Sequence, residues 1–365
     1  MHKLIELKKD ENILVSSQIE KFLKPDFIYI PIGNNEKIHV HKNDHILIGD
    51  ILVSNGLISP VSGVVKQIRK MDSAQDGEYF LEIENDFLES RKKNAGVREK
   101  ITKEEVLKVF RGLEGKKNFV LNAIDDEIYV LTENFYLFLY YDVFLELLDD
   151  LNGLFMFDNI YVCVKASSSE NINKLMSELG MYPNIELKIV PDLYLLGRKE
   201  FLLFYLGLVS EDAYVLSSSM FFAYYNALKR SRVTTDKLIT ISGNGIHNPM
   251  VVQVKIGSKL NDVVHELVEI DEDVLFIANG LMSGKVIDLE NFVVTSSLHS
   301  LLIMKKEEKM KSGECINCGA CMDICPVGLN PLLLHHEKVK EKCINCGLCS
   351  YICPVYIDFR RDYIE

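Results

Sequence analysis

The sequence of 365 residues has no apolar run long enough to span a bilayer, and it has little clustered basic charge. Its most apolar segment, from Phe135 to Leu148, is interrupted by Asp142 and Glu146. The 41 Lys and Arg are outnumbered by 53 Asp and Glu, whereas nucleic-acid binding needs clustered basic residues that neutralise phosphates. We therefore expect no transmembrane segment and no nucleic-acid partner. Because the start lacks the apolar h-region of a secretory signal, the expected location is the cytoplasm.

Cysteine is almost missing from the first 314 residues, where Cys163 stands alone. The other eight of the nine cysteines lie between positions 315 and 353. In a reducing compartment such clustering favours metal ligation over disulfides. Residues 301–365 also carry nine basic and nine acidic side chains, so the whole net charge of −12 falls on the preceding residues. The tail is therefore a separate compositional unit, and Cys163, in an apolar strand pattern, is predicted to be a core residue.

The eight tail cysteines form two copies of one motif, CxxCxxCxxxCP, read as ECINCGACMDICPV and KCINCGLCSYICPV. This spacing is typical of two-cluster bacterial ferredoxins, in which three close thiolates hold one [4Fe-4S] cluster and the fourth cysteine ligates the other. Zinc is the alternative, since it also takes four cysteines, but zinc sites rarely combine a cysteine triplet with a Cys-Pro exit. The predicted ligands are Cys315, Cys318, Cys321 and Cys353 for cluster 1, and Cys343, Cys346, Cys349 and Cys325 for cluster 2. A short helix is expected between the halves, over Pro331 to Glu341.

The preceding residues predict a multidomain α/β protein. Short alternating runs from Ile28 to Ile68 indicate a small β unit, and Thr102 with Glu105 forms a capping box at the start of a helix. Beyond it, strands and helices alternate, which favours a largely parallel sheet. The segment from Leu238 to Leu267 then reads as two strands and a helix. The alternating elements are strands near Phe119–Leu121, Ile160–Val164, Ile185–Val190 and Tyr214–Leu216, and helices near Ile172–Leu179, Arg198–Leu206 and Phe221–Lys229.

The parts in this order include several characteristic sequences, namely HILIGDIL, LISPVSGVVKQI, the module ITISGNGIHNPMVVQVKIG and the Gly280-x-Met282-x-Gly284 turn. In this order and in these sequences the chain resembles the C subunit of the Rnf electron-transport complex. That family is related to the NADH-binding flavoprotein subunit of respiratory complex I. The resemblance implies a barrel-sandwich hybrid module over 1–95, a Rossmann-like domain over 96–236, a β-grasp module over 237–300 and a two-cluster ferredoxin domain over 301–365. It also implies redox protein partners, in a membrane-bound Rnf-type complex or a soluble reductase system, and a location peripheral to the inner face of the membrane.

The resemblance further implies FMN and NADH, bound through a glycine-rich loop ending in Gly-Phe-Pro-Thr. This chain has instead Gly112-Leu113-Glu114-Gly115-Lys116-Lys117, so an eroded nucleotide site is expected. Asn122, Glu127 and Tyr129 match the family's next flavin motif, and Gly112, Gly115 and Lys116 are the candidate binding residues that the loop retains. The leading interpretation is an iron-sulfur subunit that relays electrons through two clusters. A complete NADH:acceptor flavoenzyme and a non-redox scaffold with structural clusters are the alternatives.

Overall fold

The computed structural model describes residues 4–7, 19–33, 35–73, 78–92, 96, 98–168, 175–177, 179, 182, 184–306 and 312–360. The β unit near the start is a four-stranded antiparallel sheet in the order β2-β5-β4-β3. Its apolar alternation buries Ile28, Leu81 and Ile83 in one core. The strands are β2 (Phe27–Ile32), β3 (His45–Ile46), β4 (Gly63–Lys70) and β5 (Tyr79–Asn85).

The parallel sheet expected from the alternating pattern is confirmed. Its order is β8-β7-β6-β9, and all three strand pairs are parallel. The expected capping box is also present, because Glu105 N donates to Thr102 Oγ1 and Thr102 N to Glu105 Oε2. The strands are β6 (Asn118–Asn122), β7 (Asn159–Lys165), β8 (Ile185–Val190) and β9 (Ala213–Ser217). The helices are α1 (Lys103–Val109), α2 (Thr132–Leu139), α3 (Tyr141–Phe155), α4 (Lys199–Tyr205) and α5 (Ser218–Lys229). The helix expected near Ile172–Leu179 falls mostly outside the described residues.

A six-stranded mixed sheet follows, in the order β1-β11-β10-β14-β12-β13. Two of its strands lie beyond the boundaries of the module expected over 237–300. The early strand β1 pairs in parallel with β11, and β14 continues past residue 300. Helix α6 (Leu260–Leu267) packs against this sheet through Leu260, Val263 and Val264. The strands are β1 (Ile19–Phe22), β10 (Asp236–Ser242), β11 (Met250–Lys255), β12 (Val274–Ala278), β13 (Lys285–Val286) and β14 (Ser300–Lys305).

The described part of the cysteine-rich tail contains three short helices, α7 (Ala320–Ile324), α8 (Glu337–Lys340) and α9 (Leu348–Ile352). The single helix expected over Pro331 to Glu341 is wrong, because the segment divides into a 3-10 turn at Pro331–Leu333 and α8. Asn330 caps the turn and His336, with extended backbone, precedes α8. Within the described residues, no helix combines the length and the apolar character that crossing a membrane requires.

Candidate metal centre

The two copies of the cysteine motif adopt matching backbone conformations. Asn317 and Asn345 have left-handed φ angles of 55° and 49°. Gly319 and Gly347, two residues further on, have φ angles of 76° and 73° and lie at the N-caps of α7 and α9. Such φ angles cost little only for glycine and, to a lesser extent, asparagine. The repeated Asn-Cys-Gly sequence therefore turns each cysteine triplet around a common space.

Backbone N–H groups point at cysteine sulfurs in both repeats. This pattern suits a sulfur that carries negative charge, because the amides stabilise the thiolate. The N···Sγ pairs are Asn317 to Cys315 at 3.4 Å, Asn345 to Cys343 at 3.4 Å, Leu329 to Cys325 at 3.3 Å, and Ile357 to Cys353 at 3.4 Å.

The cysteines line two separate cavities, four to each. Cys325, Cys343, Cys346 and Cys349 line the first, here called the inner cavity. Cys315, Cys318, Cys321 and Cys353 line the second, here called the outer cavity. Phe359 lines both, so one side chain lies between the two spaces. Among the described residues, no three His, Cys, Asp or Glu side chains converge as a group that could hold a single metal ion. A cubane cluster has a different requirement, since its four irons each take one thiolate and the cysteines surround the cluster.

The inner cavity is packed against the body of the protein. Cys346 and Leu348 are buried in a cluster with Met282 and Tyr194. The Tyr194 hydroxyl donates to the Cys346 carbonyl at 2.8 Å. A Cβ built on Gly347 would lie 2.1 Å from the Met282 carbonyl oxygen, so this contact tolerates only glycine. Burial raises the pKa of the Cys346 thiol, and the Leu348 N–H and the charge of Arg198 oppose that rise.

The outer cavity lies at the surface. Cys315 and Cys318 are exposed, in contrast to Cys346 of the inner cavity. Ile316, between them, is 61% exposed, and Met322 is 44% exposed. Large apolar side chains at the surface are a common feature of interaction sites. The arrangement packs one four-cysteine set against the body and exposes two cysteines of the other set to solvent.

A third cavity, of about 1000 Å³ including its open mouth, lies beyond the carboxyl end of β6. Chain order reverses here, because β7 and β8 extend the sheet on one side of β6 and β9 pairs on the other. Open parallel sheets bind ligands at such a switch point, often with a phosphate at a helix N-terminus. The polar residues that line it are Asp125, Asp126, Glu127, Glu133, Arg198, Asn279, Ser283, Ser297, His299 and Ser300. We call it the switch-point cavity.

Carboxylates of the protein occupy the N-termini of α2 and α5 beside this cavity. Asp125 accepts the N–H groups of Glu133 and Asn134 in the first turn of α2, at 2.9 and 3.1 Å. Glu133 accepts both the N–H and the hydroxyl of Ser219 in the first turn of α5, at 2.8 and 2.6 Å. Burial raises the pKa of Asp125 to about 6. Burial and, to a smaller extent, the charge of Asp125 raise the pKa of Glu133 to about 7. A phosphate would have to displace these carboxylates.

The six residues expected at a nucleotide site lie in two places. Gly112, Gly115 and Lys116 precede β6, at the amino-terminal edge of the parallel sheet. The Lys116 amine there donates to the carbonyls of Ser210 and Glu211, at 2.8 and 2.9 Å. The length of β6, about 16 Å at 3.3 Å per residue, separates this group from the opposite edge.

Asn122, Glu127 and Tyr129 lie at that opposite, carboxyl edge. The Asn122 amide donates to the Gly197 carbonyl at 2.7 Å. Glu127 accepts the N–H groups of Met282 and Ser283, both at 2.8 Å, and thereby holds the Gly280–Gly284 turn. Tyr129 accepts a hydrogen bond from Ser242 through its carbonyl. The structure therefore does not bring the six together, and the residues present do not fit a flavin phosphate.

The eight cysteines, in two adjacent sets, define a protein with a two-cluster iron-sulfur domain. In agreement, residues 307–354 match the 4Fe-4S dicluster domain family, which confirms the cofactor prediction of two [4Fe-4S] clusters. Most of the chain is similar to the C subunits of ion-translocating oxidoreductase complexes. It is 24% identical to the Pectobacterium atrosepticum protein over 63% of this chain and 36% of that protein, and 26% identical to the Rhodobacter capsulatus protein over 47% and 35%. The resemblance to this family is therefore confirmed.

The similarity covers only part of these relatives. The chain spans about a third of the Pectobacterium and Rhodobacter proteins, and 29% of the Haemophilus influenzae PittEE protein, to which it is 24% identical over 49% of its own length. Among solved structures, an NAD+-reducing [NiFe]-hydrogenase in the air-oxidised state aligns with a TM-score of 0.45 and 11% identity, over 61% of this chain and 44% of that one. This structural similarity is too low to support an inference about activity.

Sequence reasoning missed the residues that fix the inner set to the body. Tyr194, Arg198 and Arg360 all contact this part of the tail or line its cavity, and none belongs to a recognisable motif. The glycines of the Gly280-x-Met282-x-Gly284 turn did indicate that another part of the backbone approaches closely there. The partner in that approach, Gly347, is 65 residues away in the chain, so local spacing gave no means of pairing the two.

Proposed function

We propose that this protein is an iron-sulfur electron-transfer subunit that relays electrons through two [4Fe-4S] clusters. One observation supports this most directly: two cavities with four cysteines each share Phe359, and one packs against the body through the buried Cys346 while the other exposes Cys315 and Cys318. A pair of clusters in this arrangement joins the interior of the protein to a docking partner by two short steps. A purely structural pair would gain nothing from exposing Cys315 and Cys318.

In this proposal the ligand sets follow the two cavities. The outer cluster takes three cysteines from the first repeat and Cys353 from the second, and the inner cluster takes three from the second repeat and Cys325 from the first. The clusters would supply one-electron chemistry when bound. The chain orients the thiolates, donates N–H groups to Cys315, Cys325, Cys343 and Cys353, and excludes water from Cys346. Hydrogen bonds, net charge and exposure of this kind set cluster potentials.

The remaining parts of the proposal concern architecture and partners. We infer a barrel-sandwich hybrid module within 1–95, a Rossmann-like domain within 96–236 and a β-grasp module around 237–300, with β1 and β14 completing its sheet. The similarity to the C subunits of oxidoreductase complexes supports redox protein partners, either in a membrane-bound Rnf-type complex or in a soluble reductase system. It supports a cytoplasmic location, peripheral to the membrane in the first case.

The first experiment measures composition and reducibility together. Protein purified without oxygen is assayed for iron, acid-labile sulfide and released flavin, and its visible spectrum is recorded before and after NADH and then dithionite. We expect about eight iron and eight sulfide per chain, as two cubanes require, with bleaching by dithionite but not by NADH. Stoichiometric FMN with bleaching by NADH would instead establish the flavoenzyme. Zinc in place of iron would refute both.

A second experiment tests the crossed ligand sets. The double variant Cys315→Ser/Cys353→Ser removes two ligands from one proposed cluster, whereas Cys349→Ser/Cys353→Ser removes one from each. We expect the first to keep about four iron and the second to lose both clusters. The reverse result would mean that each repeat holds its own cluster. Cys163→Ser, which removes a thiol buried in β7, is the matched control and should keep about eight iron.

A further inference from the structure

Arg198 holds the inner cysteine loop from the side of the switch-point cavity. Its Nη1 donates to the carbonyl of Ile344 at 2.5 Å, within the Cys343-x-x-Cys346 turn. Its Nε lies 3.3 Å from an oxygen of Asp126, and the side chain is only 27% exposed. The guanidinium is therefore a largely desolvated positive charge in contact with the backbone that carries two inner ligands.

Arg360 approaches the same set from the other side. It lines the inner cavity together with the four cysteines, and its side chain is 21% exposed. Its Nη1 donates to the Met282 carbonyl at 2.6 Å, and its Nε lies 3.4 Å from Asp358. Like Arg198, it is partly compensated by one carboxylate. Arg360 lines the inner cavity, whereas Asp358 accepts a hydrogen bond from Ser350, beside Cys349, and is not among the residues that line the cavity.

The outer cavity differs from the inner one in its charge. Its lining within the described residues is made of cysteines, apolar side chains, Gly319 and Asn317, with no cationic group. Reduction adds one negative charge to a cluster that four thiolates already make anionic, so a nearby positive charge favours the reduced form. Burial acts in the opposite direction, because loss of water disfavours the more highly charged form. The inner cluster is the more buried of the two, so its reduced form depends more strongly on a nearby positive charge.

We propose that Arg198 and Arg360 are positioning residues that raise the reduction potential of the inner cluster and so keep the buried cluster reducible. This rests on the proposed two-cluster relay. The effect is selective for the inner cluster, since both guanidinium groups contact its loop, its cavity or the turn on which it packs. It does not require either side chain to ligate iron.

The test is a redox titration followed by electron paramagnetic resonance on the full chain, after iron and sulfide have been measured on each sample. The variants are Arg198→Gln, Arg360→Gln and their charge-preserving counterparts Arg198→Lys and Arg360→Lys. Lys117→Gln is the matched control, because Lys117 is also paired with a carboxylate, Asp212 at 3.2 Å, but lies at the far edge of the parallel sheet. The two one-electron steps of each protein are fitted separately.

We expect each Gln variant to lower the equilibrium constant of one reduction step at least threefold. This corresponds to a fall of about 28 mV in the reduction potential of that step, because tenfold is about 59 mV for one electron. The other step should stay in place, and each Lys variant should restore at least half of the shift. Equal shifts of both steps, no shift, or shifts of the same size in the Lys variants would overturn the proposal. Loss of iron in both Gln variants but neither Lys variant would also overturn it, since the arginines would then serve assembly.

Failure of this inference is distinguishable from failure of the proposed function. Wild-type protein without eight iron, or without two reducible steps, would refute the relay itself. Wild-type protein with both, and Gln variants that titrate identically to it, would refute only the role of the arginines.

Discussion

Replacing Gly347 with alanine should destabilise the protein more than the equivalent change at Gly319. Both glycines occupy the same position in the repeat, with φ angles of 73° and 76°, so both variants bear the same cost of a left-handed alanine, about 1–2 kcal/mol. Their surroundings differ. The new Cβ at 347 would lie 2.1 Å from the Met282 carbonyl oxygen, whereas at 319 its nearest neighbour is Met322 Cε at 3.9 Å.

The clash at 347 is with backbone, so relief requires the tail and the turn to move apart, for which overpacking costs of about 1–3 kcal/mol are typical. The same movement would disturb the Arg360 bond to that carbonyl. We therefore expect Gly347→Ala to lose about 2 kcal/mol more than Gly319→Ala. Paired thermal melts, followed without oxygen by far-UV circular dichroism and by cluster absorbance, measure the difference. Equal losses, or a larger loss for Gly319→Ala, would refute the docking of the inner repeat on the Met282 turn.

Two further predictions concern the body. Because Glu133 has a pKa raised to about 7, the folded state retains a proton that the unfolded chain releases, so its contribution to stability falls as pH rises through that value, by up to about 1.4 kcal/mol per pH unit. Glu133→Gln should flatten the dependence of the unfolding free energy between about pH 5 and 7, the range between the ordinary and the raised pKa, and an unchanged slope in denaturant titrations would contradict the assignment. Cys163→Ser should cost about 1–2 kcal/mol, because it places a hydroxyl in an apolar strand, while the iron content stays unchanged. Loss of iron would show that Cys163 is more than a core residue.

Local patterns predicted much of the body of the fold. The capping box at Thr102 and the four parallel strands follow from side-chain chemistry and periodicity within a few residues, which is why they could be read directly. The inter-repeat segment could not, since the extended backbone of His336 separates the 3-10 turn that Asn330 caps from α8. Strand β1 was also missed, because its place beside β11 depends on a pairing partner more than 200 residues away.

The cysteine positions show the same division at the candidate site. The spacing of the repeat was enough to predict two sets of four, and the cavities bring together the same cysteines. Spacing does not predict, however, that the two sets differ in their packing against the body, because the two motifs are almost identical in sequence. That difference comes from Tyr194, Arg198 and Met282, whose hydrogen bonds and closest backbone approach are made to the second repeat.

This asymmetry has a consequence for the switch-point cavity. Arg198 lines that cavity and also holds the inner cysteine loop, and Asp126 binds both Arg198 and the Gly197 N–H. Glu127, on the same wall, fixes the turn against which Gly347 packs. Asp126 and Glu127, which follow Asp125 in the chain, thus belong to the network that holds the inner cysteine set. In this chain one wall of the crevice of the parallel sheet therefore anchors the iron-sulfur tail.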